Sequence, residues 1–97
     1  MLFRSSTATF WEIAIKWSLG RLDLPEPPAS YLPRRLGMDR IARLPIELEH
    51  VVAVSTLPQL HRDPFDRLLV AQAIHEGLTV VTADRHLAAY GVEILDA

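Results

Sequence analysis

The chain contains no cysteine. That excludes a disulfide framework and any thiolate metal centre, and it fits a reducing compartment such as the cytoplasm. No apolar run approaches the roughly 20 residues that a membrane-spanning helix requires. The opening MLFRSSTATF has neither the long apolar core nor the small-residue cleavage site of a secretory signal. The sequence therefore reads as globular, with no membrane partner. A basic excess, the usual electrostatic footprint of nucleic-acid binding, is also lacking: the formal net charge is −2. There is no internal repeat, no low-complexity tract and no phosphate-cradling glycine loop. No serine stands in a nucleophile elbow, and no histidine pair has HExxH spacing.

What is present is 97 residues, 49% of them apolar. A chain of that size makes one small domain, here taken as residues 1–97, which buries about two-thirds of its unfolded surface. Nine of the ten basic residues are arginine, the side chain best suited to bidentate contacts with carboxylate or phosphate. Arg62, Arg67 and Arg85 lie close in sequence to acidic residues, as carboxylate- or phosphate-contacting groups or as ordinary surface charges.

Local signals outline alternating elements. Ser5, Ser6 and Thr7 can cap a helix over residues 8–19, with Gly20 as its stop. A proline-rich connector, DLPEPP, precedes a short helix over 29–36 ended by Gly37, in which Pro33 is tolerable only in the first turn. A short strand over 41–45 and a helix over 47–57, terminated by Pro58, come next. Asp63 caps a helix over 64–76, with Pro64 at its first position and Gly77 at its end. The β-branched run 79–83 predicts a strand, 85–89 a helical turn and 92–95 a last strand. Short strands alternating with helices indicate an α/β layered domain with a largely parallel sheet.

The segment HRDPFDRLLVAQAIHEGLTVVTAD, residues 61–84, carries the chemistry. Asp66 heads an apolar helix, and Asp84 directly follows an apolar strand, where open α/β sheets bind ligands. Both positions also suit plain capping, with Asp63 as N-cap and Asp66 as the acid of the first turn, favoured by the helix dipole. A third acid, Glu12, stands four residues before Lys16 on a helix that is otherwise almost wholly apolar. It is either an i,i+4 ion pair on a solvated edge or a carboxylate facing an internal cleft. Such an apolar helix is expected to bury most of its circumference, with Trp11 in the core. His61 and His86 flank the acids, whereas His50 and His75 read as helix-surface residues.

Three stretches, WEIAIKWSLGRLDLP, HRDPFDRLLVAQA and TVVTADRHLAAYGVEIL, together resemble the PIN-domain toxins of VapC type, the ribonuclease half of bacterial toxin–antitoxin pairs. The resemblance covers about residues 5–97 and implies a three-layer α/β/α domain with a mostly parallel sheet. It further implies a metal-dependent endoribonuclease whose acidic pocket binds Mg²⁺ or Mn²⁺. By position in the motifs, Glu12, Asp66 and Asp84 match family metal-site acids, with Asp63 as a neighbour of the site. Clustered carboxylates repel one another unless a divalent cation joins them, and magnesium is typically held by one or two carboxylates together with substrate phosphate oxygens. The implied partners are an RNA substrate, held at its phosphates by Arg62, Arg67 and Arg85, a cognate antitoxin near Trp17, Tyr31 or Leu36, and a second copy in a homodimer.

Members of that family begin with a strand ending in Asp, whereas the first acid here is Glu12. The resemblance thus implies an N-terminally truncated domain, short of about thirty residues by ordinary domain size, and a metal site short of one ligand. Reduced metal affinity and exposed strand edges that favour dimerisation are the expected consequences. Two further readings stay open. One is a catalytically impaired remnant that still binds an antitoxin or its own homologue; the other is a PIN nuclease that is not a toxin.

Overall fold

The computed structural model describes residues 4–82 and 84–96. The chain divides into two units, Met1–Pro45 and Ile46–Ala97.

The first unit is built on strand β1 (Arg4–Ser6), helices α1 (Thr7–Ser18) and α2 (Pro28–Asp39), and strand β2 (Ala42–Leu44). Strand β1 pairs in parallel with β2, Ser6 opposite Leu44, and Thr7 Oγ1 donates to the Leu44 carbonyl at 3.3 Å. The segment before α1, expected only to cap it, therefore also forms a strand. Of the three cap candidates, Ser6 does the capping, its hydroxyl accepting from the Ala8 amide.

Helix α2 departs from expectation at both ends. It starts at Pro28 and runs past Gly37 to Asp39. Pro33 stands in its interior, beyond the first turn, where its missing N–H forfeits one helical hydrogen bond. The helix stops where Arg40 takes a left-handed φ of 54°, a conformation that costs an ordinary L-residue about 1–2 kcal/mol. Ion pairs of Arg34 with Glu26 at 2.9 Å and Arg35 with Asp39 at 3.0 Å flank it. Helix α1 fully buries only Ala8, and Trp11 is 58% exposed. The expectation of a helix buried round most of its circumference, with Trp11 in the core, is corrected accordingly. Among the described residues of this unit, Ser6, Ala8 and Leu44 are buried.

The second unit comprises α3 (Leu48–Val54), α4 (Pro64–Glu76), β3 (Val80–Thr82), a 3₁₀ turn (Arg85–Tyr90) and β4 (Ile94–Asp96). Helix α4 has the boundaries its sequence dictates. Asp63 accepts from the Phe65 and Asp66 amides, Pro64 needs no donor at the first position, and Gly77 closes the helix at a φ of 66°. Strands β3 and β4 pair in parallel, Val81 opposite Leu95. Ala83, the expected last residue of β3, lies outside the described residues. The 3₁₀ turn buries Leu87, and α4 buries Val70, Ala71, Gln72 and Ala73.

His50 is fully buried, which corrects its reading as a surface residue. At the third position of α3, its Nδ1 accepts the Glu47 amide at 2.9 Å, while Nε2 meets Glu76 Oε1 of α4 at 2.9 Å. Gln72 Nε2 lies 3.4 Å from the same Nδ1. His75 is exposed as expected and meets the His50 ring edge-on, centroids 5.3 Å apart. Both units are α/β, and both strand pairs are parallel. Among the described residues, no helix is long and apolar enough to cross a membrane.

Candidate metal centre

Asp66 occupies the third position of α4, and Asp84 follows β3 as the cap of the 3₁₀ turn. The two acids are far apart in sequence, yet both reach the same imidazole. His61 Nε2 lies 3.1 Å from Asp84 Oδ2 and 3.6 Å from Asp66 Oδ2. One ligand atom from each of these three residues falls within 4.8 Å of the other two. The side chains are 23%, 29% and 34% exposed for His61, Asp66 and Asp84 respectively, so the cluster opens to solvent while resting on the unit.

Local hydrogen bonds hold each member. The Asp63 amide donates to His61 Nδ1 at 3.1 Å, turning the other ring nitrogen toward the carboxylates. Asp63 Oδ1 accepts from the Phe65 amide at 2.9 Å and the Asp66 amide at 3.4 Å. The exposed end of α4 is thus occupied by its own cap, which leaves Asp63 a capping residue beside the cluster. Asp63→Ala is expected to lower stability by about 1 kcal/mol, and Asp63→Asn to recover most of that loss. Denaturant midpoints at unchanged slope would measure both.

Asp84 Oδ1 accepts from the His86 amide at 3.0 Å and lies 3.0 Å from His86 Nδ1, while the Asp84 amide donates to Thr82 Oγ1 at 3.0 Å. The His86 amide, helped by the His61 and His86 rings and opposed by partial burial, holds the Asp84 carboxyl below its ordinary value of 3.8. A depressed folded value stabilises the fold above the ordinary carboxylate range, and this contribution disappears as pH falls through the folded value. Unfolding measured below about pH 4 should therefore show a shallower acid limb in Asp84→Asn than in the parent chain.

The remaining expected residues are distributed as follows. Glu12 lies on α1 in the first unit, 3.5 Å from Lys16 Nζ with its side chain 28% exposed, which realises the i,i+4 pair. Arg67 Nη2 donates to the Val54 and Leu57 carbonyls, both at 3.3 Å, so this guanidinium ties α4 to the end of α3. Arg62 and Arg85 are exposed. On the first unit Trp17 is exposed and Tyr31 and Leu36 are half-buried, with the Arg34 guanidinium 5.8 Å from the Tyr31 ring centroid.

His61 is the member that sequence spacing reduced to a flanking residue. Its signal is short-range: a histidine two residues before a helix cap can accept that cap's amide. What it faces is set by β3 and could not be read locally.

Paired carboxylates at the first turn of a helix and the end of a parallel strand, half-exposed, suit a hard divalent cation. Residues 3–93 match the PIN domain family, and the chain belongs to that family. Within it, the chain is similar to Ribonuclease VapC16 of Mycobacterium tuberculosis (strain ATCC 25618 / H37Rv), at 49% identity over 45 residues. The matched stretch covers 46% of this chain and 30% of that protein.

Proposed function

We propose that this chain is a metal-dependent endoribonuclease of VapC type, acting as the toxin of a toxin–antitoxin pair on cellular RNA. The observation that carries this reading is the convergence of Asp66 and Asp84 on one half-exposed point beside His61. Asp66 and Asp84 are the residues that would hold Mg²⁺ or Mn²⁺, oxygen donors of the kind those ions prefer. Glu12 is a further acid that the motif makes necessary for cleavage. When bound, the ion supplies Lewis acidity toward the scissile phosphate and an activated water.

The protein's own groups do the rest. The 3₁₀ turn holds Asp84 ionised through the His86 amide, and the Asp63 cap fixes the first turn of α4 and with it Asp66. Arg62 and Arg85 are the arginines that contact RNA phosphates, Arg67 being engaged with α3. The antitoxin docks against Trp17, Tyr31 and Leu36, and the protein works as a homodimer with residues 1–97 as one PIN-like domain.

The test is cleavage of a structured RNA by the purified chain with MgCl₂. Cleavage abolished by EDTA and restored by Mg²⁺ or Mn²⁺ supports the nuclease; no cleavage with either ion overturns it. Growth arrest on expression, relieved by a small neighbouring gene, separates a toxin from a nuclease of other purpose.

A further inference from the structure

His61 stands where it could be taken for a third metal ligand, but its hydrogen bonds argue otherwise. A neutral imidazole has one N–H and one lone pair. The lone pair of His61 is on Nδ1, because that atom accepts the Asp63 amide at 3.1 Å. The proton is then on Nε2, the atom 3.1 Å from Asp84 Oδ2 and 3.6 Å from Asp66 Oδ2. A protonated nitrogen has no electron pair to give a metal. Moving the proton to Nδ1 would set two donors face to face at a backbone position already fixed by the Asp63 cap.

The same arrangement occurs a second time in the unit. His50 Nδ1 accepts the Glu47 amide and Nε2 meets Glu76 Oε1. That ring, with His75 and Glu76, forms another close group of potential ligands, and it is held by the same division of donor and acceptor. In this chain, a histidine anchored on a backbone amide serves to hold a carboxylate.

Building on the proposed metal site, we infer that His61 is a placeholder and not a ligand: its Nε2–H occupies the Asp84 carboxylate until a divalent cation displaces it. Only the fraction of molecules in which this hydrogen bond has opened accepts the ion, so apparent affinity falls by that fraction. Removing the ring should therefore tighten binding, the opposite of removing a ligand. His61 acts as a positioning residue that sets metal affinity.

Calorimetric titration of MnCl₂ into the full chain at fixed pH tests the sign. His61→Ala is expected to bind Mn²⁺ about tenfold more tightly, the equivalent of one lost hydrogen bond to a charged group. Unchanged or weaker binding overturns the placeholder role. Asp84→Asn separates this from the underlying reading. If it binds Mn²⁺ as well as the parent chain does, or if no protein binds, the metal site itself falls and the placeholder with it.

A second measurement needs no substitution. Histidine ¹⁵N shifts recorded during a MgCl₂ titration should show His61 Nε2 still protonated at saturation, with its hydrogen bond to Asp84 lost. An unprotonated, metal-bound Nε2 would overturn the inference.

Discussion

Asp84→Asn is expected to abolish divalent-cation binding and to lower RNA cleavage at least about a hundredfold, the upper end of the scale for substitutions at a metal site, because it removes one of the two carboxylates proposed to hold the ion. The fold should survive this change. The carboxylate caps the 3₁₀ turn by accepting the His86 amide through Oδ1, and an asparagine oxygen can do the same. Asp66→Asn should behave alike, since Asp63, not Asp66, accepts the amides at the start of α4. The pair of variants thus separates chemistry from stability. Cleavage assays with Mg²⁺ and with Mn²⁺ read the first, and denaturant unfolding reads the second. Cleavage within about threefold of the parent chain in either variant, a loss far short of the 10–100-fold scale, would remove that acid from the site. Glu12→Gln belongs in the same series as the test of the third acid. Its only described charge partner is Lys16 at 3.5 Å, a half-exposed pair worth about 0.3–0.5 kcal/mol, so a large loss of cleavage there would not come from instability.

The second large effect is on stability. His50→Ala should lower the unfolding free energy by about 3 kcal/mol, combining a cavity with stranded hydrogen-bonding partners. The ring is fully buried and joins the amide of Glu47, the N-cap of α3, to the Glu76 carboxylate of α4, and its removal takes away one of the two reciprocal hydrogen bonds of the capping box that starts α3. The fall in Tm should exceed about 10 °C for a domain of this size. His50→Asn keeps an acceptor for the Glu47 amide and should recover part of the loss. His50→Leu fills the space but leaves the amide unpaired, so the two together separate packing from hydrogen bonding. Differential scanning calorimetry on the three variants is the measurement, and a His50→Ala midpoint within about 3 °C of the parent chain, under 1 kcal/mol on the same scale, would contradict the role.

Elements whose signals are local are legible in the chain itself. Helix α4 begins and ends as its sequence dictates because Asp63, Pro64 and Gly77 act on neighbouring amides and carbonyls. Asp84 capping the turn that follows it has the same basis. Where partners lie far along the chain, local pattern is silent. Strand β1, described over Arg4–Ser6, exists because β2 pairs with it, and nothing in RSS announces that. Gly37 carries a helix-breaking propensity, yet α2 continues to Asp39, which illustrates how weak a prior single-residue propensity is. The apolarity of Trp11 points to a core, but its exposure depends on what packs opposite α1.

Composition and local pattern by themselves determined the α/β class and the two acids at the ends of a helix and a strand, and the resemblance carried by three motifs pointed to the PIN domain family. The class and the two acids are written in residue type and spacing. Only the tertiary structure decided that Asp66 and Asp84 meet at His61, 23 residues before Asp84 in the chain, and which ring nitrogen faces them. It also decided that His50 is buried between α3 and α4. The physical reason is common to all three. A histidine's burial and tautomer follow from the donors and acceptors around it, and here those are a neighbouring backbone amide on one side and a carboxylate from a distant element on the other.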